Sequence, residues 1–155
     1  FIHGLEQIAR HGYPYDVVVK HHQLPTAIRM VDQVPNVPLV LDHIGKPDIK
    51  NKISQPWSND LKKIASFTNV YCKLSGLVTE ADWHQWDEQT IFSYLDMVLN
   101  CFGIDRIMFG SDWPVCLVAS SYEKWLETIQ KYFRDFSIED QQKVFANNCT
   151  TFYHI

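Results

Sequence analysis

Two kinds of apolar pattern alternate along the chain. Short apolar runs occur at Val17-Val18-Val19, Leu39-Val40-Leu41 and Ile107-Met108-Phe109, with a fourth at Val70 to Leu74 interrupted by Lys73, and each has the length of a strand. Between them, apolar residues recur three or four apart, the period of a helix with one buried side. These helical stretches hold Leu5, Ile8 and Ala9; Ile28, Met30 and Val31; Leu61, Ile64 and Ala65; Ile91, Leu95, Val98 and Leu99; and Trp125, Leu126, Ile129 and Phe133. Punctuation falls where the elements require it. His11-Gly12 and Pro14 end the first helix, Pro25 begins the second, Asn36 and Pro38 break it, and Gly103 closes the helix that ends at Phe102. Ser120 with Glu123, and Ser137 with Asp140, make capping patterns ahead of the last two helices. The one long excursion, Ser75 to Gln89, is rich in Trp and acidic residues. The order is one helix, then four strands each followed by a helix, with no hairpin turn signal. That alternation predicts right-handed βαβ crossovers and a parallel sheet, an α/β fold.

Length limits what this pattern completes. A (β/α)8 barrel takes roughly 200 to 250 residues, and the chain has 155, 46% of them hydrophobic. Four βα units are therefore either a small open sheet or about half of a barrel. Residues 1–155 read as a single domain, without internal repeat, low-complexity tract or linker. A net charge of -4 argues against a duplex nucleic-acid binder, which needs a basic face. No stretch approaches the roughly 20 apolar residues of a membrane span, so the expected location is cytoplasmic by exclusion. Phe1 is not an initiator methionine, which leaves open a preceding targeting segment. Cys72, Cys101, Cys116 and Cys149 are spaced too widely for a zinc ribbon and are too few for a disulfide scaffold. Cys72 and Cys101, at apolar positions, are expected as buried reduced thiols.

Candidate chemistry collects at the strand ends. Ile107 to Phe109 run into Gly110-Ser111-Asp112-Trp113-Pro114, which leaves a carboxylate at the carboxyl end of a buried strand, where α/β proteins bind ligands. Asp112 reads either as a metal ligand or general base, or as a helix N-cap. The strand Leu39-Val40-Leu41 runs into Asp42-His43-Ile44-Gly45-Lys46-Pro47, and the strand from Asp16 to Lys20 runs into His21-His22-Gln23. Three strands thus carry His22, His43 and Asp112 toward one rim, with His21 competing with His22 for the inward direction. Lys73 and Ser75 share a face of the third strand, and Lys73 reads as a cation aimed at an anionic substrate or as a solvated lysine. Trp83 and Trp86 read as an apolar lid over a sugar ring or as loop packing. Nothing beside Cys116 marks it as an activated nucleophile.

Four segments in order carry a family resemblance: His22-Gln23-Leu24-Pro25, Leu41 to Pro47, Cys72 to Trp83, and Met108 to Cys116. Together they resemble the amidohydrolase superfamily, in particular its metal-independent or weakly metal-dependent branch of L-fuconolactonase-like sugar lactonases. The resemblance implies the C-terminal half of a TIM (β/α)8 barrel, strands 5 to 8, with the N-terminal half missing. It implies a hydrolase that opens a sugar lactone with water activated by Asp112, with His43 as second catalytic residue. His22, Lys46, Lys73 and Trp83 are then substrate-binding. His22, His43 and Asp112 form an optional site for one divalent metal, zinc, weakly bound or not required. The His-x-His pair that the family carries on its first strand is absent. The expected partners are a small-molecule sugar lactone and a second copy of the chain paired through open barrel edges, with no nucleic acid and no membrane. Two alternatives stand beside the lactonase: a family decarboxylase with bound zinc, and an inactive fragment that self-associates.

Overall fold

Four parallel strands lie side by side in chain order, β1 (Tyr15–Val17), β2 (Leu39–Leu41), β3 (Val70–Leu74) and β4 (Ile107–Phe109), in a computed structural model that describes residues 1–155. The helices are α1 (Ile2–Arg10), α2 (Leu24–Gln33), α3 (Trp57–Ala65), α4 (Leu77–Glu80), α5 (Glu88–Phe102), α6 (Tyr122–Phe133), α7 (Ile138–Gln142) and α8 (Asn148–Tyr153). The fold is α/β with βα units repeating around one sheet, as the alternating pattern requires. No helix is long and apolar enough to cross a membrane.

The pleat sends successive side chains to opposite faces, and the two faces differ. Leu39, Leu41, Val70, Cys72, Leu74 and Ile107 pack against the helices in the main core. Val40 and Met108 point the other way, where Phe152 of α8 covers them, with the Tyr71 and Phe152 rings 4.8 Å apart. Asn148 Nδ2 donates to the carbonyls of Ile104 and Ile107, which fixes α8 at the amino end of β4. At the same end, the Arg106 guanidinium donates to the carbonyls of Ala65, Phe67 and Val70 and so satisfies three backbone acceptors of the α3–β3 connection. The amino end is tied down in this way, and the carboxyl end is left to carry loops.

Three elements depart from the sequence-based expectation. β1 stops at Val17, paired with Leu41 at the end of β2. Beyond it β2 turns away and β1 is a sheet edge, so Val18 has no strand to continue against and is 59% exposed. α3 starts at Trp57, before the expected Asp60, because Pro56 ends the loop and the buried indole of Trp57 is already on the core side. Ser121, not Ser120, caps α6: its Oγ accepts from Lys124 N–H at 3.1 Å. Ser137 caps α7 as expected, accepting from Asp140 N–H.

Candidate active site

The two loops that carry the strongest candidates are backbone-strained. After β2, His43, Ile44, Gly45 and Lys46 all have positive φ (54°, 49°, 73° and 48°), and after β4 so does Asp112 at 55°. Asp tolerates that region, whereas a β-branched Ile there is a genuine outlier. A non-glycine residue held there costs on the order of 1 to 3 kcal/mol, least for Asp, and persists only where its surroundings over-determine it. The surroundings here do so. Ile44 is fully buried, Trp57 Nε1–H donates to its carbonyl at 2.8 Å, and the Lys46 carbonyl accepts from His21 N–H with the His21 ring Nδ1 at 3.0 Å. Gly45 sits against Leu24, whose methyl carbons lie 3.1 and 3.3 Å from where a Cβ would be. On the second loop, Trp125 Nε1–H donates to the Gly110 carbonyl at 2.9 Å. In both places the helix after the strand reaches back with a buried indole and holds the turn.

These turns bring His43 and Asp112 together. His43 Nε2 lies 3.8 Å from Asp112 Oδ1, with both side chains largely buried. That separation is too long for a hydrogen bond. Thr79 Oγ1 is 3.3 Å from Asp112 Oδ2, but its proton goes to the Gly76 carbonyl at 2.7 Å. The Asp112 carboxylate therefore has no strong donor of its own and is free to accept a proton. On the other side of the ring, His43 Nδ1 and Ser75 Oγ are 2.8 Å apart. Burial pushes the His43 pKa below the ordinary 6.5, opposed by Asp112 and Asp42 and reinforced by Lys46 and Lys73. Burial thus favours the neutral imidazole.

The other expected site residues divide. His22 is not brought to the pair: the Lys20–Gln23 capping contacts turn His21–Gln23 into a short 3-10 helix that leaves His22 exposed, and its neighbour His21 makes the inward tie to Lys46. Lys73 faces inward, but its ammonium is engaged by carboxylates, 2.7 Å from Asp16 Oδ2 and 2.8 Å from Asp42 Oδ1. The Asp42 contact is an ion pair without hydrogen-bond alignment. Burial alone would lower the Lys73 pKa, yet Asp16, Asp42 and Tyr153 outweigh it and raise it, so the lysine stays charged. Lys46 Nζ lies on the rim 3.5 Å from Glu80. Trp83 is half-exposed beside the site, its Nε1–H on the Thr79 carbonyl. Trp86 is not a lid: it donates to the Ala119 carbonyl and packs under Lys124. Cys72 and Cys116 are buried and Cys101 half-buried, and burial pushes all three thiols up, away from nucleophilic use.

A zinc in a catalytic site takes three protein ligands, and no three His, Cys, Asp or Glu side chains of this chain lie close enough to hold a metal ion. His43 and Asp112 supply two donors, so the residues present do not make the expected trio with His22. A groove of about 440 Å³, lined by Phe1, Val18, Ala27 and Met30 among others, runs along the β1 edge and includes neither His43 nor Asp112. The chemistry instead sits at the open carboxyl end of the sheet. Ser75, Trp57 and Trp125 hold this site and were not singled out as site residues from the sequence; the signals for Ser75 were its place on the Lys73 face at the end of β3 and in the Cys72 to Trp83 segment.

Residues 2–155 match the amidohydrolase family. The chain is 40% identical over 141 residues to the L-fucono-1,5-lactonase of Burkholderia multivorans, covering 85% of this chain and 48% of that protein. It is 33% identical over 156 residues to the L-fucono-1,5-lactonase of Burkholderia ambifaria, covering 98% and 53%. Among solved structures, an amidohydrolase from Burkholderia multivorans with bound zinc superposes with a TM-score of 0.96 at 35% identity, covering all of this chain and 57% of that one. The chain spans about half the length of the curated relatives it matches.

Proposed function

From the premise that the chain belongs to the amidohydrolase family, we propose that it is a lactone hydrolase, like the named lactonases it resembles, and that Asp112 and His43 act on a sugar lactone. The carrying observation is the under-bonded Asp112 carboxylate facing His43 Nε2 across 3.8 Å at the carboxyl end of the sheet. In this reading Asp112 takes a proton from water as the water oxygen bonds to the lactone carbonyl carbon. The tetrahedral intermediate then collapses with cleavage of the ring C–O bond, and the departing alkoxide receives the proton. The products sum to lactone plus water, a hydroxy acid. Lys46 and Trp83 stand on the rim where the polyol portion of a sugar would lie.

The test is acid release from L-fucono-1,5-lactone. It is measured for the chain alone and for the chain mixed with the part of the Burkholderia multivorans lactonase outside the matched region. Turnover that Asp112→Asn lowers by about 10²- to 10⁴-fold, the usual worth of a general base, supports the reading. No turnover in either arrangement, or full turnover in Asp112→Asn, overturns it.

A further inference from the structure

We propose that Ser75 is a positioning residue that sets the tautomer of His43, so that the ring carries its proton on Nε2 and presents an N–H donor to the site. Its catalytic meaning rests on the lactonase reading above, while the tautomer itself does not. The argument begins with hydrogen-bond capacity. Ser75 is 1% exposed, and the one polar partner of its hydroxyl is His43 Nδ1 at 2.8 Å. Were Nδ1 protonated, it would donate to Ser75 Oγ and strand the serine's own proton, buried with no acceptor. With the serine donating, the hydroxyl is satisfied and Nδ1 is the acceptor.

A second observation points the same way. The other ring nitrogen, Nε2, faces the carboxylate oxygen of Asp112 at 3.8 Å. An Nε2 lone pair there would confront a negative oxygen, whereas an Nε2–H directs its positive end at it. Gly76 completes the seat. A Cβ at that position would lie 2.8 to 2.9 Å from His43 Cβ, Cγ and Nδ1, so the ring rests directly on the glycine backbone, which itself has a φ of 69°. Ser75 thus fixes which nitrogen is the donor, and Gly76 fixes where the ring lies.

The assignment separates the roles of the pair. Asp112 is the proton acceptor, and the Nε2–H of His43, which faces Asp112 at 3.8 Å without being held in a hydrogen bond, is the donor left available to an oxygen that gains negative charge as the carbonyl is attacked. No bond to His43 forms or breaks.

The measurement is a long-range proton–nitrogen correlation spectrum of nitrogen-15-labelled protein above pH 7. Wild-type His43 is expected to show an unprotonated Nδ1 and a protonated Nε2; the reverse pattern overturns the proposal without any variant. In Ser75→Ala the Nε2–H preference is expected to weaken to a mixture of tautomers, and in Ser75→Thr, which keeps the hydroxyl, to return. A Ser75→Ala spectrum identical to wild type overturns the role of the serine. With lactone as substrate, Ser75→Ala is expected to lower kcat about tenfold with KM nearly unchanged. The expected spectra in a protein that turns over no lactone support the positioning role and count against the lactonase reading alone.

Discussion

On its helix-covered face the sheet presents Leu39, Leu41, Cys72, Leu74 and Ile107 to a single cluster of 33 buried residues; on the other it presents Asp16, Asp42, Lys73 and Ser75 beside a cluster of three. The first face is held by apolar area, which is additive and indifferent to direction. The second is held by directed pairs. Lys73 lies between two carboxylates, Tyr153 donates to the outer one, Asp16, at 2.8 Å, and Asp42 is shielded enough that an unpaired charge there would be costly. Burial pushes the Tyr153 pKa up to about 12, with Lys73 lowering it and Asp16 raising it, so the phenol remains a donor throughout the neutral range. The difference teaches why the chemistry sits where it does: a face already organised around compensated charge accommodates His43 and Asp112, and an aliphatic face would not.

The largest break in this comparison is expected on the apolar side. Ile64→Ala, a fully buried position of α3, should cost about 2 to 5 kcal/mol in urea unfolding while leaving the His43 spectrum unchanged. A cost below 1 kcal/mol would mean that this face is loosely packed. On the inner face, Lys73→Met removes the cation shared by Asp16 and Asp42 and should cost about 1 to 3 kcal/mol. That is less than for a fully buried pair, because the Asp16 side chain is 37% exposed and solvent screens it. Adding Asp42→Asn to Lys73→Met should recover part of the loss, since the orphaned charge disappears; a further loss would show that the inner face is held by packing. The smallest effect is on pH. Because folding lowers the His43 pKa, its contribution to stability is complete above about 6.5, the unfolded value, and is lost as pH falls through the folded one. Urea midpoints at pH 7.5 and pH 5 should differ less in His43→Gln than in wild type.

Much of this architecture was legible in the residue pattern. The apolar runs at Leu39 and Ile107 and the alternating one from Val70 became strands, with Leu39, Leu41, Val70, Cys72, Leu74 and Ile107 in the main core, and the three-to-four spacing around Leu61 and Ile91 became helices. Val18 and Val19 misled because an apolar run does not say whether a neighbouring strand exists to pair with it. At the site, Asp112 and His43 were visible because each follows directly on a buried strand. His22 failed as their partner through a local cause, the capping of its turn by Gln23. Trp57 and Trp125 looked like ordinary core aromatics; that their indole protons reach the Ile44 and Gly110 carbonyls follows from helix placement, not from spacing.

The sequence by itself determined the order and type of the elements, the parallel sheet and the strand ends at which polar residues gather, because periodicity and punctuation are local properties of the chain. Only the tertiary structure decided which of those residues meet. The contacts that define the site, His43 with Ser75 and Asp112, and Lys73 with Asp16 and Asp42, span 31 to 69 positions of sequence. They depend on strand register and on strained turns held from the following helices, and no local pattern encodes either.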